Sequence, residues 1–249
     1  MLAQLRMKLK PDCSGFGYYQ SSNLQGVLME QINSDYAEKL HQQGWKPYSQ
    51  FLYCKNEEFW WFLHTWTKEA YHEILLPLQD SDFVSFQIKK KGIQVSILQK
   101  EATTLPKKAL MEEFYSHESS RYLSVEFLSP TAFKQNGRYV NYPDLRLIFQ
   151  SLMNKYSAGS SELKMFDEET LEQLVSNMSI SRYSLHSVSF PLEGVRIPAF
   201  MGTMTIRVNG TKTMANYARL LLRFGEYSGV GIKTGMGMGA VKWIEKENV

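Results

Sequence analysis

Apolar and polar residues alternate from the start of the chain. Ala3, Leu5, Met7 and Leu9 interleave with Gln4, Arg6, Lys8 and Lys10, which predicts a half-buried strand. The period then lengthens. Leu24, Val27, Leu28, Ile32, Tyr36 and Leu40 follow helical spacing. The runs "SQFLYCK" and "EFWWFLHTW" flank Asn56 and Glu57 and predict a hairpin. A short helix in "TKEAYHEILLPL" and a strand in "GIQVSILQ", with Ile93, Val95 and Ile97 on one face, complete the first half. The second half repeats this order. "RYLSVEFLS" is a strand, "YPDLRLIFQSLMNKY" a helix with Pro143 in its first turn, and "DEETLEQLVSNM" a helix with acids in its first turn. "SRYSLHSVSFPL" and "PAFMGTMTIRVNG" are strands, "TMANYARLLLRFG" a helix and "GAVKWIEK" a last strand. Two β-α-β-β-α-β passes predict an α+β chain of two tandem ferredoxin-like, or RRM-like, domains. Only the pattern is duplicated, since no residue-level repeat is visible. The hinge falls between about Glu118 and Pro130. The expected division is 1–122 for the first domain and 123–249 for the second.

Composition sharpens this picture in two places. No apolar run approaches the ~20 residues of a membrane span, and the alternating N-terminus does not read as a signal peptide. Cys13 and Cys54 form neither a disulfide framework nor a CxxC pair, so a reducing cytoplasm is expected. The net charge of +3 is unevenly divided. Residues 1–128 carry 14 Lys/Arg against 15 Asp/Glu, whereas 129–249 carry 14 against 10. Five of those later acids are Glu162, Asp167, Glu168, Glu169 and Glu172, in one stretch. The rest of the second half is therefore basic and suited to an anionic partner.

One segment raises a chemical question. "GEYSGVGIKTGMGMGAVKW", from Gly225 to Trp243, holds six of the chain's 16 glycines. A P-loop needs Gly directly before Lys, but Ile232 separates Gly231 from Lys233. A dinucleotide fingerprint needs GxGxxG opening a helix after a strand; here the third position is Thr234 and the order is helix to strand. What remains is either a flexible turn or a loop whose backbone amides approach a polyanion, with Lys233 adding charge. The residues expected at such a contact are Gly229, Gly231, Lys233, Thr234, Gly235, Gly237 and Gly239, together with Arg196 from the basic half.

"FGEYSGVGIKTGMGMG" resembles the C-terminal glycine-rich signature of the CRISPR-associated endoribonucleases that cut precursor CRISPR RNA, the sixth of the Cas series, within the RAMP superfamily. "SPTAFKQNGRYVNYPDLRLIFQSLMNKY", "RIPAFMGTMTIRV" and "YAEKLHQQGWKPYSQFLY" resemble further segments of that family. The resemblance implies two RRM-like domains and metal-independent, cofactor-free cleavage. In it, the RNA 2′-hydroxyl attacks the adjacent phosphorus and leaves 2′,3′-cyclic phosphate and 5′-hydroxyl ends. It makes His41 the catalytic histidine and Lys46, in "KPY", the lysine that stabilises the phosphorane. Neither Tyr18 nor Tyr19 falls in register with the tyrosine some members use, and Tyr36 lies on the apolar face of its helix. His64 reads as structural, and the strand Phe59 to Trp66 as core and interdomain face more than stacking platform. No Cys/His cluster has chelating spacing. The implied partner is CRISPR repeat RNA, with an effector complex as candidate recipient of the product and no membrane. Monomer and homodimer stay open. The rival reading is a non-catalytic RAMP subunit that coats guide RNA in an effector complex.

Overall fold

The alternating N-terminus builds β1 (Leu2–Pro11), with Leu5, Met7 and Leu9 buried and the intervening polar residues half-exposed. In the computed structural model, which describes residues 1–42, 44–116, 120–160 and 166–245, β1 lies central in a five-stranded antiparallel sheet. The apolar period that predicts one helix from Leu24 to Leu40 spans two: α1 (Ser21–Gln31) and α2 (Ser34–Gln42). Ile32 is extended, and the Asn33 side chain accepts from the Asp35 and Tyr36 amides at 2.9 and 3.3 Å, starting α2 afresh. The periodicity runs through the break because both helices pack on the same core. The hairpin forms as expected: β2 (Tyr48–Lys55) and β3 (Glu58–Thr65) turn at Asn56 and Glu57, both left-handed.

After β3 the helical stretch α3 (Lys68–Ala70) runs through a π-wound turn (Tyr71–Leu75) into α4 (Leu76–Gln79). A short strand that the sequence pattern does not announce, β4 (Ser85–Ile88), then pairs with the 13-residue β5 (Ile93–Leu105). The sheet order is β2-β3-β1-β5-β4, a ferredoxin-like sheet with β4 added at its edge. α5 (Lys107–Ser116) leads towards the second sheet.

That sheet begins with β6 (Tyr122–Thr131). A second unannounced hairpin, β7 (Phe133–Gln135) and β8 (Arg138–Val140), turns at Asn136-Gly137. α6 (Leu145–Ala158) starts at Asp144, whose carboxylate accepts the Leu147 amide at 2.9 Å. Pro143 therefore lies just outside the helix, not in its first turn. α7 (Glu168–Ser176) carries Glu168 and Glu169 in its first turn as expected. Arg146 of α6 pairs with Glu168 and Glu172, so part of the acidic stretch is neutralised locally; Glu162 lies outside the described residues. β9 (Met178–Leu192) and β10 (Val195–Val208) form a long ribbon, followed by α8 (Lys212–Ser228) and β11 (Val241–Ile244). The order β11-β6-β10-β9 repeats the ferredoxin-like arrangement, giving two tandem domains.

A cluster of Leu2, Trp66, Leu110, Tyr156, Leu220 and Phe224 ties the two sheets together. Phe224 meets Trp66 edge-on with ring centroids 6.1 Å apart and Tyr156 at 5.0 Å. Trp66 and Phe224 are fully buried. Phe224→Ala is expected to cost about 3–5 kcal/mol in chemical denaturation. A loss below about 1 kcal/mol would mean that this cluster does not hold the domains together.

Candidate RNA-cleavage site

His41 stands in the last turn of α2, exposed and with no hydrogen-bond partner among the described residues. The end of a helix carries partial negative charge, which favours a cation there. The chain then turns back, and the Lys46 ammonium donates to the Leu40 carbonyl at 2.6 Å. Lys46 thus caps the helix end that carries His41. Burial pulls the Lys46 pKa below the ordinary lysine value, and the charge of Lys233 lowers it further. The second domain's loop lysine is therefore near enough to Lys46 for the two charges to interact.

This proximity has a structural cause. β2 begins two residues after Lys46, and the glycine-rich loop sits on it. A Cβ on Gly235 would lie 3.2 Å from the ring of Tyr48. Gln50 donates to the Gly235 carbonyl at 3.2 Å and to the Ser21 carbonyl at 2.8 Å, while its own oxygen accepts from the Trp61 indole at 2.8 Å. Gly237, at φ 107°, is packed against Ser21 so closely that a Cβ would overlap the serine side chain. Ser21 in turn accepts the Leu52 amide at 3.1 Å. Ser49 adds a bond to the Tyr227 carbonyl at 2.6 Å.

The loop's interior differs from the expectation of free backbone amides. Val230 donates to Gly239, Ile232 to Ala132 and Gly239 to Pro130, at 2.7, 3.0 and 2.9 Å. The Gly231 and Ala240 amides donate to the hydroxyls of Ser151 and Ser129, both at 2.9 Å. Thr234 is only 8% exposed, and its hydroxyl accepts from Lys155. Gly229, Gly235, Gly237 and Gly239 are buried. The glycines thus let the loop close on itself and on the first domain. Between residues 229 and 240 the exposed position is Lys233. Arg196 is exposed near the tip of the β9–β10 ribbon, and no hydrogen bond or ion pair among the described residues links it to His41, Lys46 or Lys233.

The other histidines divide clearly. His64 is buried beside Gln4, at 3.0 Å, and burial pulls its pKa down to about 3, so it is a neutral structural residue. It packs edge-on against Tyr227, and Phe51 and Phe62 stack beside it with ring centroids 6.1 and 6.3 Å from it. His72 lies against Tyr71 and His186 is exposed on β9; His117 lies outside the described residues. Tyr36 is buried in the first core, and burial raises its pKa; Tyr18 is half-buried and Tyr19 exposed. Among the described residues no group of three His, Cys, Asp or Glu side chains converges. No helix among them is long and apolar enough to cross a membrane. Sequence reasoning passed over Gln50, Ser21 and Lys155, which hold the loop in place. The one visible signal was the spacing of Ser151 and Lys155 on the same face of α6.

Solved structures share this architecture. An RAMP protein binding different RNA substrates superposes with a TM-score of 0.61 at 16% identity, covering 98% of this chain and all of its own. A Cas6 product complex superposes at 0.80 and 20% identity, with 98% and 100% covered. These likenesses show a shared fold. Residues 125–241 match the family model described as CRISPR-associated endoribonuclease Cas6. The enzyme of that name from Streptococcus thermophilus is 39% identical over 223 residues, 90% of either chain. The one from Mycobacterium tuberculosis is 38% identical over 221 residues, 88% of this chain and 70% of the relative. The chain belongs to the CRISPR-associated endoribonuclease Cas6 family, a class of RNA-cleaving enzymes.

The seat of the loop generates a paired expectation. Gly237→Ala forces a side chain into both a left-handed backbone and the space of Ser21, and should cost at least about 1–3 kcal/mol. Gly26→Ala, in α1 with open space around it, should instead gain about 0.5–1 kcal/mol. Thermal melting of the two variants reads both; equal melting points would show that the contact with Ser21 is not a constraint.

Proposed function

We propose that this protein is a metal-independent endoribonuclease that cuts CRISPR repeat RNA within precursor transcripts into guide units. The 2′-hydroxyl before the scissile phosphate attacks phosphorus, the 5′-oxygen of the next nucleotide leaves, and the ends are a 2′,3′-cyclic phosphate and a 5′-hydroxyl. The observation that carries this reading is the meeting of His41 and Lys46 at one helix end with Lys233 arriving from the other domain.

The roles follow from chemistry. His41 is exposed, and its imidazole can move a proton to or from a sugar oxygen. Lys46, held by the Leu40 carbonyl, places a cation where phosphorane charge develops. Lys233 pairs with a backbone phosphate, and the glycine-rich loop from Gly229 to Gly239 fixes that contact. Arg196 is a further phosphate contact, farther along the RNA. The reading places the division between domains at residue 122 and the enzyme in the prokaryotic cytoplasm, handing its product to a CRISPR effector complex.

Labelled repeat RNA incubated with the chain in EDTA should be cut at a single position. No cleavage, with tight binding retained, would favour a guide-coating subunit. A repeat with 2′-deoxyribose before the scissile phosphate should bind and stay intact, because the attacking oxygen is missing; normal cleavage of it would sink the mechanism. His41→Ala should slow single-turnover cleavage by about 10²–10⁴-fold with little change in binding. Activity within a few-fold of wild type would leave His41 as a helix-end residue only.

A further inference from the structure

Lys155 of α6 is half-buried as a residue, and its ammonium points inward. It donates to the Gly229 carbonyl at 3.0 Å, the Ser228 carbonyl at 3.2 Å and the Thr234 hydroxyl at 3.3 Å. None of these acceptors is a carboxylate. A buried ammonium without a counter-ion is costly, and burial alone pulls the Lys155 pKa down to about 7. The arrangement needs a compensating field. Ser228 ends α8, a 17-residue helix with no basic residue in its last turn. The Gly229 amide and the Ser49 hydroxyl serve the Gly225 and Tyr227 carbonyls of its last turn, and Lys155 serves that of Ser228, supplying a cation at the helix's negative end.

The same face of α6 holds the loop at a second point. Ser151, one turn before Lys155, accepts the Gly231 amide at 2.9 Å. Between these two anchors the loop wraps around Thr234, whose methyl fills the space that a side chain at Gly229 would need, while at Gly239 the Val230 carbonyl leaves none. Lys233, directly before Thr234, is thereby turned outward.

We infer that Lys155 is a positioning residue for RNA recognition: with Ser151 it braces the glycine-rich loop from within, so that Lys233 stands out beside Lys46. It also neutralises the end of α8, which would otherwise repel a phosphate brought to the loop. This inference rests on the repeat-RNA reading above, and it assigns to a buried lysine part of the affinity that the surface lysine displays.

A double-mutant cycle on repeat-RNA binding tests it. The variants are Lys155→Met, which keeps the volume and removes the charge, Lys233→Asn, which tolerates the left-handed backbone, and the pair together. Binding is measured from 50 to 200 mM salt, with a melting curve for each. Over that range the affinity of the wild type should fall about threefold more than that of either single variant, the loss of one phosphate contact. The double variant should be no worse than the singles, because the brace acts through Lys233. If Lys155→Met does not melt cooperatively, Thr234→Val takes its place, since it removes one acceptor and keeps the methyl; its smaller loss should likewise vanish in the Lys233→Asn background. Losses that add, or a folded brace variant with unchanged affinity and salt slope, overturn the inference while leaving the repeat-RNA reading intact. A wild-type chain that binds no repeat RNA overturns both.

Discussion

The close approach of Gly237 to Ser21 leaves no room for a side chain, and the geometry of the site depends on it. Ser21 opens α1 and also receives the Leu52 amide of β2. The first domain therefore presents its helix start and the β2–β3 hairpin as one rigid seat, and the loop settles on it through Gly235, Gly237 and Gln50. Lys46 precedes this hairpin and Lys233 precedes the seated residues, so docking the backbones brings the two cations near each other. Two like charges held close repel, and the position is tolerable because Lys46 leans on the Leu40 carbonyl while Lys233 stays in water. On the proposed reading, an RNA phosphate between them relieves that repulsion, which makes the site complementary to a polyanion before one arrives.

The loop's own hydrogen bonding sharpens this. Backbone amides that donate internally cannot also cradle a ligand without breaking what holds them. A rigid loop with one outward lysine gives a defined point of contact, whereas an open amide nest would give a broad one. Glycine density here signals close packing between strands, helix end and neighbouring domain. The buried Lys155 completes the same design from the inside, by donating to the Ser228 and Gly229 carbonyls where the chain reverses.

What the sequence made legible followed from local periodicity. Period-2 and period-3.6 patterns located the strands and helices that recur in both sheets, and two β-α-β-β-α-β passes gave the fold class. His41 was legible as a helix-end residue, and the match of its segment to a family gave it a chemical role. The break at Ile32 was not legible, because the apolar stripe continues across it onto the same core. β4 was missed because four residues, Ser85–Ile88, give too few alternations to read. The seat of the loop was hidden for another reason. Gln50 and Gly235 lie 185 residues apart, and Lys155 and Thr234 lie 79 apart. Glycines in a sequence report backbone freedom; which neighbour fills the vacated space is a property of the folded chain.

Lys233 itself is held in a backbone conformation that few residues of the chain adopt. Among the described residues five non-glycine positions have positive φ: Asn56, Glu57, Asn136, Glu193 and Lys233. The first four turn two-residue hairpins, where the left-handed conformation matches the twist of the flanking strands. Lys233, at φ 56°, turns no hairpin. A left-handed residue with a Cβ costs roughly 1–2 kcal/mol, and glycine would remove that cost. In a loop already rich in glycine, a lysine nevertheless occupies the strained position, and it is the one the fold leaves exposed. Backbone strain of this kind supports a functional reading of the side chain that bears it. The turn also separates two neighbours: Lys233, which caps Thr234–Met236, is exposed, while Thr234 beside it is buried and accepts from Lys155. The same backbone that is unfavourable for the residue is what delivers its charge to the seam between the domains.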